Sequence, residues 1–89
     1  MTTALKEFLE GLSEDFPEAL LADGFEEAIV GTVQQFNKTL VCYDREECID
    51  ILIKRDGMDC EDAEEFFEFN VQGAYMGENT PCFLSRRER

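Results

Sequence analysis

The stretch AIVGTVQQFNKTLVCY, residues 28–43, decides the fold because the residue pattern changes there from helical to extended. It is rich in β-branched and aromatic residues, which favour strands. Asn37 lies near its middle, and Asn tolerates the positive φ of a tight turn. We therefore predict a hairpin with strands at residues 27–36 and 39–43. Gly31, inside the first strand, indicates a β-bulge or a close backbone approach.

Two helices are predicted after the hairpin, and each begins at a capping carboxylate. Asp44 and Glu47 have the spacing of a capping box, and Gly57 is a suitable C-terminal stop. Asp59 and Asp62 repeat the device at the start of the second helix. Such carboxylates accept hydrogen bonds from backbone N–H groups that have no partner within the helix.

Two short helices are predicted ahead of the hairpin. The first helix ends near Gly11, which weakens its C-terminal end. The second helix is expected over residues 13–24, with Ser13 as its N-cap and Gly24 as its stop. Its apolar residues have the i, i+3, i+4 and i+7 spacing of one helix face, and they are Leu5, Phe8, Leu9 and Leu12.

The last predicted element is a short strand at PCFL, residues 81–84, because Pro is tolerated at the first position of an edge strand. The two preceding helices reverse the chain twice, so this strand is expected to run antiparallel to the second strand. The order is ααββααβ. This is an α+β fold in which a small, antiparallel-rich sheet, the hairpin plus the C-terminal strand, is covered by a helical pair. We divide the chain into an acidic helical lead-in (1–24), a single α+β domain (25–84) and a basic tail (85–89).

Charge narrows the classes of partner. The chain has 89 residues and a net charge of -13, whereas small soluble domains are designed with a magnitude of about 2–8. This excess repels nucleic acid and anionic membranes and attracts basic proteins. No apolar run approaches the roughly 18 residues that cross a bilayer, and the first residues lack the order of a signal peptide. We expect a cytoplasmic protein with a basic protein partner, without direct nucleic-acid binding or membrane association.

The stretch EDAEEFFEFNVQGAYMG, residues 61–77, combines carboxylates with aromatic residues. On helical spacing an apolar stripe faces the sheet and most carboxylates face away from it. No Lys or Arg occurs between Asp56 and Glu78, and like charges at i, i+4 repel one another. This favours a cationic partner, although a solvated face with a charged N-terminus explains the same pattern. The stripe is Ala63, Phe66, Phe67, Asn70, Val71 and Ala74, and the predicted partner-binding residues are Asp59, Glu61, Asp62, Glu64, Glu65 and Glu68.

Two other functions use surfaces of the same domain. Duplex DNA carries one charge per about 1.7 Å of axis, and a row of carboxylates can imitate it, so the protein could be a DNA mimic that inhibits a host DNA-binding or defence protein. Self-association through an exposed edge of so small a sheet would instead make it a homo-oligomer.

Asn70 is an amide in the middle of the apolar stripe. A buried amide must be hydrogen-bonded, because an unmet one costs about 1–3 kcal/mol. We expect Asn70 to tie the helix to the backbone of residues 77–81 or of the hairpin. Alternatively, Asn70 anchors a pocket with Tyr43 and Tyr75, in which case the protein is a small-ligand or metal-binding module.

Cysteines and catalytic groups give little support to metal binding or to catalysis. The intervals between the cysteines are wide, with no CxxC pair and no His, so buried free thiols are favoured over zinc. The carboxylates around Gly57 do not have the spacing of an EF-hand. Without His, a paired nucleophile or a phosphate-binding loop, we predict no enzyme, no catalytic residue, no cofactor and no metal. The cysteines are Cys42, Cys48, Cys60 and Cys82.

The region from Gly24 to Leu84 resembles a family of small uncharacterised bacteriophage-encoded proteins. The phrase that carries the resemblance is EEFFEFNVQGAYMGENTPCF, residues 64–83. The resemblance implies a phage accessory protein that acts in the host cytoplasm, with host or phage proteins as partners. It implies no activity, so no catalytic residue is carried over from it.

Overall fold

The computed structural model describes residues 3–74 and 76–87 and has an α+β fold, as predicted. Within these residues, no helix has both the length and the apolar character needed to cross a membrane. In chain order the elements are α1 (Thr3–Asp15), a 3-10 turn (Glu26–Ala28), β1 (Ile29–Gln35), β2 (Lys38–Asp44), α2 (Arg45–Asp56), α3 (Cys60–Phe67), a π-helical segment (Glu68–Gln72) and β3 (Cys82–Leu84).

The sheet has the order β1-β2-β3, with β2 in the centre. The hairpin is confirmed, since β1 and β2 are antiparallel, and the bulge predicted at Gly31 lies between Ile29 and Gly31. The direction predicted for the last strand was wrong, because β3 runs parallel to β2. The chain between β2 and β3, which contains α2, α3 and the π-helical segment, returns to the start of β2. There Glu78 and Lys38 form an ion pair at 3.9 Å. The chain therefore enters β3 at the same end as β2 and runs in the same direction.

The hairpin turn differs from the prediction in the residue that has a positive φ. Gln35 pairs with Lys38, so the turn consists of Phe36 and Asn37. Phe36 has a φ of 58°, and Asn37 does not have the positive φ expected of it. A positive φ at the first turn residue is typical of one of the two common hairpin turns, in which Gly usually occupies that position.

The N-terminal region forms one helix where two were predicted. α1 runs through Gly11 and includes Ser13, which was expected to cap a second helix. Pro17 ends this helical pattern, because the residue before a proline is disfavoured in helical backbone. The chain then continues without a regular helix, and a backbone hydrogen bond of 3.3 Å from Leu20 N to Asn79 O joins it to the loop before β3.

The core lies between the sheet and the helices. Tyr43, Phe67 and Leu52 are fully buried, and Leu12 of α1 belongs to the same cluster, so the lead-in packs on the domain. Phe83 of β3 contacts the Phe67 ring edge-on at 5.1 Å between centroids. This contact joins the C-terminal strand to α3.

The predicted termini of α2 and the predicted start of α3 are confirmed. Asp44 Oδ1 accepts a hydrogen bond of 3.2 Å from the Glu47 N–H, and Asp59 Oδ1 accepts one of 2.9 Å from the Asp62 N–H. Gly57 ends α2 in the left-handed conformation with a φ of 70°. These contacts satisfy backbone groups that the first and last helical turns leave unpaired.

Candidate protein-interaction surface

The acidic helix, which consists of α3 and the π-helical segment that follows it, does not keep regular α-helical hydrogen bonding to its end. After α3 the chain forms the π-helical segment, which the hydrogen bond from Gly73 N to Glu68 O closes at 3.0 Å. A π turn accommodates one extra residue in the helix. Ala63 and Phe67 are buried as predicted, whereas Asn70 and Ala74 are exposed. Val71 also packs on the core, whereas Phe66 is partly exposed, so the predicted apolar stripe is reduced to the narrower line Ala63, Phe67 and Val71.

On one side of the acidic helix, an arginine of α2 forms ion pairs with two of the carboxylates. Arg45 Nη2 lies 2.7 Å from Glu68 Oε2 and 3.5 Å from Glu64 Oε1. Its guanidinium carbon is 5.8 Å from the centroid of the buried Phe67 ring, within the range of a cation–π contact. We call these four residues the clamp side. Two of the six predicted partner-binding carboxylates are thus already paired within the chain.

The other predicted acids have different surroundings. Asp59 is exposed, but its carboxylate is engaged as the cap of α3. Glu61, Asp62 and Glu65 are exposed, and no Lys or Arg among the described residues forms a salt bridge with them. These three carboxylates are the part of the predicted surface that is available to an external cation.

Two phenylalanines extend this acidic area. Phe69 is 74% exposed and Phe66 is 39% exposed, although Phe66 had been assigned to the buried stripe. Together with Asp62 and Glu65 they line a shallow hollow, which we call the open side. Phe69 was missed as a site residue. It lies outside the 3.6-residue stripe, and a large apolar residue at such a position is the signal that could have identified it.

Asn70 does not have the role predicted for it. It is exposed at the margin of the open side, and its Nδ2 donates a hydrogen bond of 3.2 Å to Phe66 O in the preceding turn. This contact is local and does not tie the helix to the loop before β3 or to the hairpin. The expectation that Asn70 is a buried anchor was therefore wrong.

Tyr43 belongs to the core and lies apart from Asn70. Its hydroxyl accepts a hydrogen bond of 2.7 Å from the Ala22 N–H, and burial of the side chain raises the pKa of Tyr43 to about 12. The hollow that Asn70 lines does not include Tyr43. Tyr75, the third residue of the predicted pocket, lies outside the described residues.

Cys42 and Cys82 are paired residues of β2 and β3, whereas Cys48 lies in α2 and Cys60 begins α3. Cys42 and Cys48 are buried, as predicted, and Cys82 is half-buried, whereas the prediction of a buried thiol was wrong for Cys60, which is exposed. Burial raises the pKa of Cys48 to about 12, which leaves little of the reactive thiolate at neutral pH. Within residues 3–74 and 76–87, no cluster of three or more His, Cys, Asp or Glu side chains is arranged to hold a metal ion.

Comparison with known protein families, with curated proteins and with solved structures finds no match to this chain. The resemblance to bacteriophage-encoded proteins, the absence of enzymatic activity and the basic partner therefore stay predictions.

Proposed function

We propose that the protein is a non-enzymatic interaction protein that binds a basic protein partner through the acidic helix. One observation carries this proposal: Glu61, Asp62 and Glu65 are exposed carboxylates without an ion-pair partner among the described residues, and the last two line the same hollow as the exposed rings of the open side. Exposed charge of one sign beside exposed aromatic surface is suited to a protein partner. The proposal includes action in the cytoplasm, as a phage accessory protein.

The clamp side supplies a template for the partner contact. There, Arg45 contacts two carboxylates and one ring. Phe67 follows Glu64 by three residues, and Glu68 follows it by four. On the open side the two spacings are exchanged, since Glu65 follows Asp62 by three residues and Phe66 follows it by four, and Phe69 adds a second ring. No Lys or Arg of residues 3–74 or 76–87 is paired with them. We infer that an arginine of the partner binds there, because a guanidinium pairs with carboxylates and stacks on aromatic faces.

A capture experiment tests the proposed function. The tagged protein is incubated with bacterial lysate at low and moderate salt, beside a variant with Asp62→Asn and Glu65→Gln. The control variant carries Glu10→Gln and Glu14→Gln, which remove the same charge from exposed positions of α1. Loss of a basic protein with the first variant alone supports the proposal. Equal capture by all three proteins contradicts it.

The arginine contact is tested with two labelled peptides of equal length and charge, one rich in arginine and one rich in lysine. We expect the arginine peptide to bind more tightly, and Phe69→Ala to reduce that preference, since the ring contact is lost. The Asp62→Asn, Glu65→Gln variant should bind about tenfold more weakly, because exposed ion pairs contribute up to about 1 kcal/mol each. Equal affinity for both peptides would overturn the inferred arginine site.

The same capture decides between an ordinary acidic surface and DNA mimicry. Duplex DNA is added to the protein with its captured partner, and the retained fraction is measured. If the protein is a DNA mimic, the DNA displaces the partner, because both compete for one basic surface. If the partner stays bound, the acidic helix recognises a surface that DNA does not use.

A further inference from the structure

Two of the four cysteines are direct neighbours across the sheet. Cys42 of β2 and Cys82 of β3 are paired in the parallel register, so their side chains leave the sheet on the same face. Neighbouring strands lie about 4.7–4.9 Å apart, and a disulfide spans Cα separations of about 4.4–6.8 Å. The backbone therefore places these two residues at a distance that a disulfide can bridge, although both are free thiols.

The contact between the two side chains is also visible in the behaviour of the thiols. The pKa of the Cys82 thiol is raised to about 11, first by burial and then by its hydrogen bond with the Cys42 thiol. The Cys82 Sγ also lies 3.7 Å from Val41 O, the carbonyl next to Cys42 in β2. The two sulfur atoms therefore face each other between the strands.

Access from solvent differs between these two thiols. Cys42 lies in the central strand and is buried, whereas Cys82 lies in an edge strand and is half-buried. Cys82 is thus the member of the pair that a reagent in solution can reach. Cys48 and Cys60 are not residues of the sheet, since they lie in α2 and α3.

We propose that Cys42 and Cys82 form a reversible disulfide on reaction with a small-molecule disulfide such as oxidised glutathione. The Cys82 thiol loses its proton, and its sulfur attacks one sulfur of the oxidant and displaces one glutathione thiolate. The Cys42 thiol then loses its proton, and its sulfur attacks Sγ of Cys82 and displaces the second glutathione thiolate. Both thiolates take up a proton. The protein loses two electrons, and one oxidised glutathione becomes two reduced molecules.

This reaction is slow at neutral pH, because the raised pKa of Cys82 leaves little thiolate to attack the oxidant. In a compartment that keeps thiols reduced, a disulfide of this kind is transient. The pair is therefore suited to respond to oxidising conditions, and it does not depend on the partner of the acidic helix.

The disulfide closes a loop that contains the whole acidic helix. Residues 43–81, between the two cysteines, include α2, α3 and the π-helical segment. β3 has three residues, and the cross-link fixes this short strand to β2. Closing a long loop restricts the unfolded chain, so oxidation should raise the Tm by about 8 °C or more. The open side includes neither cysteine, so its affinity for the arginine-rich peptide should be the same in both forms.

Equilibration of the full chain with mixtures of reduced and oxidised glutathione at mildly alkaline pH tests the proposal. The reaction is stopped with acid, free thiols are blocked with N-ethylmaleimide, and the digested chain is analysed by mass spectrometry. We expect a linked pair of peptides that contains Cys42 and Cys82. The exposed Cys60 should instead carry a mixed disulfide with glutathione. This readout uses the unmodified chain and needs no variant that must fold.

The same reaction in urea is the matched control, because in the unfolded chain the cysteines link in several combinations. Enrichment of the link between Cys42 and Cys82 in native buffer shows that the fold selects it. Cys60→Ser should retain this link, and Cys82→Ser should lose it. All four thiols blocked at every glutathione ratio, or the same distribution of links with and without urea, overturns the proposal. An unchanged Tm in the linked chain contradicts the stabilisation expected from closing the loop.

Discussion

The two sides of the acidic helix are built from the same kinds of residue but have different surroundings. Each has two carboxylates and a phenylalanine within about one turn. On the clamp side, Arg45 forms ion pairs with both carboxylates and Phe67 is fully buried. On the open side, no described cation is paired with the carboxylates, and Phe69 is largely exposed. Similar composition therefore serves stability on one side and, in our proposal, recognition on the other.

Truncation of one phenylalanine on each side should give the largest contrast. Phe67→Ala removes a fully buried ring that also contacts Phe83, and such truncations lower the free energy of unfolding by about 3–5 kcal/mol. Phe69→Ala removes an exposed ring and should change stability by less than about 0.5 kcal/mol. Urea denaturation of both variants measures the difference. Similar losses would contradict the assignment of the two sides.

High pH should weaken the buried region and leave the open side unaffected. The pKa values of Tyr43 and Cys48 are raised to about 12 by burial, from ordinary values near 10 and 9. Above those ordinary values the folded chain binds more protons than the unfolded chain, so stability falls as pH rises. Each group should contribute a decrease of about 1.4 kcal/mol per pH unit until the pH reaches its folded pKa.

Urea denaturation at a series of pH values between neutral and about 11 measures this decrease. The control is Tyr43→Phe, which keeps the ring but removes the titrating hydroxyl. Its stability should be lower near neutral pH by about 1 kcal/mol, because the Ala22 N–H loses its acceptor. Its stability should then fall less steeply above pH 10 than that of the unmodified chain. Equal slopes for the two proteins would show that Tyr43 is not the titrating group.

Two carboxylates at the start of α3 should differ in their contribution to stability, by less than the two phenylalanines do. Asp59 accepts a hydrogen bond from the Asp62 N–H at 2.9 Å, and loss of such a cap costs about 1 kcal/mol. Asp62→Asn removes a charge from the same turn without removing the cap, so it should cost only about 0.3–1 kcal/mol. Thermal unfolding of Asp59→Ala and Asp62→Asn compares the two. A larger loss in Asp62→Asn would mean that charge, and not capping, sets the stability of this terminus.

Local signals in the sequence were sufficient for much of the fold. The caps at Asp44 and Asp59, the stop at Gly57 and the bulge at Gly31 were all predicted, because each depends on residues close in the chain. The direction of β3 was not predicted, since it depends on where a long crossover returns to the sheet. The single N-terminal helix was also missed, because the capping pattern at Ser13 was given more weight than Pro17.

At the candidate surface too, features that depend on neighbouring residues were predictable and features that depend on distant residues were not. Exposure of the acidic residues was predictable from helical spacing. Pairing of Glu64 and Glu68 with Arg45 was not, because that arginine comes from a different helix. The exposure of Asn70 was not predictable either, because the helix face that packs on the core, Ala63, Phe67 and Val71, is narrower than the stripe that a 3.6-residue period predicts.

Removal of the clamp arginine should have a small effect on stability and is the most direct comparison of the two sides. Arg45→Gln leaves Glu64 and Glu68 without their cation, and since such ion pairs are partly exposed, the loss should be about 1 kcal/mol or less. The clamp side should then resemble the open side and bind the arginine-rich peptide as a second site. Arg45→Lys keeps the charge and should not create that site. Titration of the labelled peptide measures the number of sites in each variant. A single site in Arg45→Gln would mean that two carboxylates and a ring at this spacing are insufficient to bind arginine. The composition of the open side would then be no argument that it binds arginine.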